Sequence, residues 1–333
     1  LLFRIGLESD LGRLLKQIRY ASWIWISGVL VSAAFGFGAS YYLFHLDVIQ
    51  SLFICIALTA TSVGIPVSVW KEANALKSRR GELLLDVAEL DDISGVILMA
   101  LLFTVVPIIK NGSNGALLPA LSQNIALIML KLIIFGGICW FFSRYLEERI
   151  TSFFKSIGSA PDPMLVVTGL GIIIAATAGL LGFSIAIGAF FAGIVFSRDP
   201  NAVKLDASFE TLYDFFSPFF FIAIGLKIEP ATFGIALGIG GVLLIVAILG
   251  KLIGHGIPTF FADGKIGFLL IGVSMVPRAE ITMVIMQRGQ NLGDWAVSSE
   301  IFTAMVLVSA TTCILSPIVI RKFLNKWPQN GGN

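Results

Sequence analysis

The sequence predicts an all-α polytopic membrane protein of about ten spans, built as an inverted repeat with two crossed discontinuous helices. Three observations carry this. First, 56% of the 333 residues are hydrophobic and only 13% are charged, about half the charged fraction of a soluble domain. Second, runs of about 20 apolar residues recur along the chain, each long enough to cross a bilayer core as a helix. Third, two of these runs carry hydroxyl and glycine residues just before a proline, and they stand in corresponding places of the two halves.

The spans are read, in order, as 20–44, 49–70, 82–109, 124–145, 163–180, 183–196, 212–226, 231–257, 266–287 and 297–320. Short polar loops with Gly, Pro, Asn or Ser separate them. Leu1 lies in mid-helix sequence, so the natural N-terminus is expected upstream. The organisation follows: 1–19 as a helix end and cytoplasmic linker, 20–109 as the first core repeat, and 110–230 as a linker span with further spans. Residues 231–321 form the second core repeat and 322–333 a cytoplasmic tail. The three cysteines, Cys55, Cys139 and Cys313, sit far apart inside apolar runs and read as small core residues.

Lys and Arg alternate across this arrangement. One side collects 17, in the N-terminal segment (Arg4, Arg13, Lys16, Arg19), in four loops reaching from Lys71 to Lys265, and in the tail (Arg321, Lys322, Lys326). The other side holds three, Lys110, Lys227 and Arg288. The basic side is the cytoplasmic one by the positive-inside rule. Both ends of this chain are therefore expected in the cytoplasm, in a multi-pass protein of the cell membrane. The net charge of +2 is uninformative about partners; no nucleic-acid partner is expected.

Charged residues inside the spans then stand out: Asp86, Glu89, Asp91 and Asp92 in the third, Lys131 in the fourth, Lys251 in the eighth, Arg278 and Glu280 in the ninth. Each such group costs about 2.5–3.5 kcal/mol at mid-bilayer on insertion scales. Lys131 reads as snorkelling, and Asp86 as interfacial. Asp91 and Asp92 lie about ten residues into their span, about 100° apart on a helix. One carboxylate can then face an ion path while the other faces a partner helix. Lys251 interrupts a long apolar stretch; snorkelling is one reading, and a buried pair with an aspartate accounts for two charges at once.

The interrupted stretches are Leu58-Thr59-Ala60-Thr61-Ser62-Val63-Gly64-Ile65-Pro66 and Gly272-Val273-Ser274-Met275-Val276-Pro277-Arg278-Ala279-Glu280. Spans one to three and eight to ten form two three-helix units offset by an odd number of spans, hence opposite in direction. Such a repeat places an ion site at the bilayer midplane. Unwound carbonyls face a cation, and half-helix dipoles call for compensating charges, which Asp91, Asp92, Lys251 and Glu280 can supply.

At these residues the chain resembles the monovalent cation:proton antiporter-2 family, whose bacterial members include sodium/proton and potassium/proton antiporters. The matching pieces, in family order, are Gly6-Leu7-Glu8, Thr59 to Gly64, Leu90-Asp91-Asp92, Ile187 to Gly193, Ser217 to Gly225, Gly250-Lys251 and Pro277 to Glu280. The resemblance implies a secondary transporter rather than an enzyme, a separate dimerisation domain including spans five to seven, a homodimer in the lipid and elevator-like alternating access. It makes Asp92 the carboxylate that binds the monovalent cation or proton and Asp91 its neighbour, paired with Lys251. Thr61 and Ser62 become the unwound segment beside the site, and Arg278 and Glu280 polar core residues. Members with a lysine at position 251 are implied to be electrogenic. The departure is Glu89, where a small or apolar residue is usual. It lies three residues before Asp92 on one helix face, and three roles stay open: a carboxylate at the mouth of the ion path, a partner of Arg278, or a change in cation choice.

The mechanism expected is mutually exclusive occupancy of one desolvated carboxylate by a proton or by sodium or potassium, with no cofactor. The first alternative is the membrane part of a gated potassium-efflux system of the same superfamily, whose regulatory cytosolic domain or subunit would lie outside this chain. The remote alternative is an intramembrane aspartyl protease. Such enzymes carry their aspartates on separate helices, whereas Asp91 and Asp92 are adjacent and no Gly-x-Gly-Asp segment occurs.

Overall fold

A computed structural model describes residues 2–8, 11–111, 117–146, 149–150, 163–197 and 202–329. Lys155, Arg198 and the tail end 330–333 lie outside the described residues. The described residues are helical with no strand. The helices are α1 (Leu2–Glu8), α2 (Leu11–Gly38), α3 (Val48–Ala57), α4 (Gly64–Glu72), α5 (Arg79–Asn111) and α6 (Leu117–Phe141). They continue as α7 (Pro163–Leu180), α8 (Ile185–Phe196), α9 (Ala202–Gly225), α10 (Phe233–Ser274), α11 (Glu280–Leu292) and α12 (Ser299–Lys326). Among the described residues, five segments are long and apolar enough to cross a membrane: Ala21–Leu43, Arg79–Lys110, Ile125–Leu146, Pro230–Ser274 and Ser299–Lys326.

Two features differ from the sequence reading. The expected loop between residues 257 and 266 is helix, and α10 runs on until Gly264 alone, at φ 70° and ψ −164°, turns it. That left-handed conformation suits glycine. The eighth span and the first half of the ninth are thus two arms, 233–263 and 265–274. The second difference is Pro66, which breaks nothing. α3 ends at Ala57 and α4 starts at Gly64, so Pro66 sits in the first turn of α4, where a missing N–H costs no intrahelical bond.

The chain forms two compact units, Leu1–Leu11 with Ala100–Ala223, and Gly12–Met99 with Ile224–Asn333. In the first, α1 and α8 cross at Gly6 and Gly193. A Cβ on Gly6 would lie 2.0 Å from Phe190 O, and one on Gly193 2.1 Å from Phe3 O. Phe135 packs on Phe183 and Phe191 beside them. Many large apolar side chains of this unit, including Ile133, Leu165, Ile172 and Phe215, face outward, as lipid-facing helices require.

The second unit holds both interrupted spans. Its core gathers Ile24 of α2, Trp70 of α4, Leu84 and Val87 of α5, Leu270 and Ile271 of α10, and Ile320 and Leu324 of α12. Trp70 is fully buried and its Nε1 donates to Ser274 Oγ at 2.9 Å. This bond joins a half-helix of one repeat to a half-helix of the other.

Candidate functional site: the crossing of two broken helices

Non-helical backbone occupies 58–63 and 275–279, and the two breaks touch directly. Ser62 N donates to Pro277 O at 2.8 Å, and Thr61 Oγ1 to Met275 O at 3.2 Å. Ser62 Oγ donates to Glu280 Oε2 at 3.0 Å, and Thr282 Oγ1 to Ala57 O at 2.9 Å. Backbone freed by each break is thus satisfied by the other, the condition for irregular chain inside a membrane.

Charges follow the ends of the half-helices. Beyond the C-terminal end of α3, Thr59 O accepts from Lys251 Nζ at 2.6 Å and Ala60 O from Arg278 Nη1 at 2.5 Å. Two cations therefore face the negative end of that half-helix dipole, and Glu280 opens α11 at a positive end. Lys251 is fully buried and pairs with Asp91, its Nζ 3.1 Å from Oδ2 and 3.3 Å from Oδ1. Such a pair is tolerated away from water only when its remaining hydrogen-bonding capacity is used, and the Thr59 carbonyl uses one more ammonium proton.

α5 presents Asp91 and Asp92, both buried. One turn on, Gly95 lies against Ala60 Cβ of the first break and Ile281 of α11, each about 3.5 Å from where its Cβ would be. The carboxylate-bearing turn is thereby brought beside the crossing. Ser94 Oγ, which donates to Asp91 O at 2.9 Å, accepts from Trp25 Nε1 at 2.9 Å and fastens this turn to α2.

The remaining sequence candidates fall as follows. Glu89 is buried on α5 one turn before Asp92. Asp86, expected at an interface, is only 2% exposed, so it is packed into protein. Lys131 is exposed and its Nζ lies 3.4 Å from Leu181 O. Sequence reasoning missed a collar on α12. Ser309 Oγ and Cys313 Sγ both donate to Arg278 O, the latter at 3.1 Å, while Arg278 N donates to Thr312 Oγ1 at 3.3 Å. His255, which interrupts the same apolar stretch as Lys251, is fully buried one turn after it, with its ring against Gly28.

Long apolar helices around a crossing of broken helices with buried charges define the class: an integral membrane protein built like a secondary transporter. The family described as "Sodium/hydrogen exchanger, transmembrane" matches residues 1–326, and the chain belongs to it. It is 31% identical to a Na(+)/H(+) antiporter of Enterococcus hirae, over 98% of this chain and 82% of the relative. It is 30% identical to the high-affinity Na(+)/H(+) antiporter NhaS3 of Synechocystis, over 95% and 68%. The Na(+)/H(+)-K(+) antiporter GerN of Bacillus cereus is 26% identical, over 96% and 80%.

Proposed function

We propose that this protein exchanges protons for a monovalent cation, sodium or potassium, at Asp91 and Asp92. The single observation that carries this reading is the ion pair of Lys251 with Asp91, fully buried and seated on a carbonyl of a broken helix. Desolvated charge at that place is costly unless it serves something. The names of the relatives support the cation class, and they include both sodium and potassium.

Asp92 takes a proton or a cation, because neither an empty charged carboxylate nor double occupancy is favourable in a dry site. Thr61 and Ser62 line the site, and Arg278 and Glu280 hold the crossing in shape. Coupling follows if the loaded site opens to one side at a time. We place both ends of this chain in the cytoplasm from the Lys and Arg asymmetry, and we take the working form to be a homodimer in the cell membrane.

The deciding experiment is exchange in proteoliposomes, with sodium and potassium each added against a preset pH gradient. Asp92→Asn should abolish collapse of the gradient by either cation while the protein remains folded and inserted. Exchange persisting in Asp92→Asn would move the site elsewhere, with Glu89 the next carboxylate to replace.

A further inference from the structure

Arg80 stands in the first turn of α5, and its guanidinium meets Asp263 through two bonds, Nε to Oδ2 and Nη2 to Oδ1, the latter 3.2 Å long. Asp263 immediately precedes Gly264, where α10 turns. The remaining arm, Nη1, donates to Gln329 Oε1 at 2.8 Å, and Gln329 Nε2 donates to Trp327 O at 2.7 Å. One guanidinium therefore ties the start of α5, the bend of α10 and the chain just beyond α12. A two-bonded fork fixes direction as well as distance, which the point charge of a lysine does not. The pair is only about a fifth exposed, so solvent screens it less than a surface pair.

Arg80–Asp263 and Asp91–Lys251 bridge the same two helices. Asp91 lies about 11 residues, roughly 16 Å, along α5 from Arg80, and Lys251 about 12 residues, roughly 18 Å, before Asp263 on the first arm of α10. Near-equal spacings on helices running in opposite directions make these two rungs of one ladder. The outer rung has its cation on α5 and its anion on α10; the inner rung reverses them. A slip of one helical turn, about 5.4 Å, breaks both rungs together.

We propose that Arg80 is a positioning residue for the ion site, setting the register in which Asp91 meets Lys251, and that residues 327–329 are a strap holding its fork closed. This rests on the reading of Asp91 and Asp92 as the ion site. Loosening the outer rung lets α5 shift against Lys251, which alters how tightly the neighbouring site holds its cation. A purely structural role for Arg80 would lower the yield or melting temperature of the protein and leave cation affinity alone.

The test is proteoliposome exchange by the full chain at one fixed pH, titrating sodium chloride and potassium chloride separately. Arg80→Gln and Arg80→Lys should change the apparent cation KM by about threefold or more, the size of a coupling relayed through a packed network, with little change in maximal rate. The exchanged pair, Arg80→Asp with Asp263→Arg, should restore most of the wild-type KM. Gln329→Ala should shift it in the same direction by a smaller factor. If Arg80→Gln fails to insert, Arg80→Lys carries the test, because it keeps the charge and loses only the fork. An unmoved KM in Arg80→Lys, or a shift that the exchanged pair does not reverse, overturns the proposal. Asp92→Asn in the same vesicles separates the two readings: exchange surviving there removes the ion site itself. Exchange lost there, with KM unmoved in Arg80→Lys, removes the clamp alone.

Discussion

Ser62 and Pro277 are joined by a main-chain hydrogen bond of 2.8 Å, so each broken helix is held open by the other. The two prolines near the breaks then have different work. Pro277 lies inside the non-helical stretch, while Pro66 lies in the first turn of α4.

Replacing them should separate these roles. Pro66→Ala should change stability by less than about 1 kcal/mol, since a first-turn proline occupies a place where no helical donor is needed. Pro277→Ala permits helix to grow through residues 275–279 and competes with the Ser62 bond; exchange should fall by about tenfold or more, a change of about 1.4 kcal/mol in the barrier. Initial rates in proteoliposomes, normalised to inserted protein, check both. Equal rates in the two variants would show that proline does not maintain the second break.

The collar on α12 gives a graded prediction. Ser309→Ala and Thr312→Val each remove one hydrogen bond to the backbone of Arg278, and each should cost about 1 kcal/mol. Arg278→Gln removes a fully buried cation that serves Ala60 O at 2.5 Å and Ala247 O at 3.4 Å. Its cost should reach about 3 kcal/mol, as when one member of a buried polar set is lost. Thermal unfolding in detergent should rank the three, with Arg278→Gln lowest.

A third prediction concerns the approach of α2 to α10. A Cβ at Gly254 would lie 2.8 Å from Gly28 Cα and 3.1 Å from Ser27 O, both backbone atoms. Gly254→Val should therefore push the helices apart, at about 1–3 kcal/mol or more for overpacking. It should also disturb Lys251, less than one turn away. Gly238, on the same helix with open space where its Cβ would be, is the control, and Gly238→Ala should leave melting temperature and exchange unchanged.

The broken helices and a buried lysine–aspartate pair are legible in the sequence for one reason: a charge or an interrupted helix in an apolar run is costly, so it announces itself. That Asp91 is the partner of Lys251 comes from the family resemblance. Less visible were features whose cost is small or whose partners are backbone. Ser309, Thr312 and Cys313 look like any small residues of a membrane helix, where hydroxyls commonly bond their own preceding turn; nothing local says that they hold Arg278. Carbonyl partners such as Thr59 O carry no side-chain signal. Asp86 is only 2% exposed, and its closeness to a helix start in the sequence carries no signal of that burial. The sequence does not distinguish Pro66 from Pro277, because a proline marks a helix start as well as a helix break. Gly264 lay in a stretch read as loop, although a single left-handed glycine turns the helix there without one.

The last prediction concerns Lys251, whose charge bears on stoichiometry. Its ammonium is shared between Asp91 at 3.1 Å and Thr59 O at 2.6 Å. If Asp92 is the ion site, as proposed, a cation arriving there adds positive charge beside this ammonium, and the pair can then break with release of a proton from Lys251. With one further proton from Asp92, two protons would then move against one cation, and exchange would carry current. Lys251→Gln retains a donor for the Thr59 carbonyl but leaves Asp91 without its counter-charge, so stability should fall by about 3 kcal/mol. Any exchange that survives should approach electroneutrality. Currents on a solid-supported membrane, recorded beside dye-monitored proton flux in the same vesicles, give charge moved per proton for wild type and variant. Charge per proton left unchanged in Lys251→Gln would make Lys251 a structural partner of Asp91 and end the two-proton scheme.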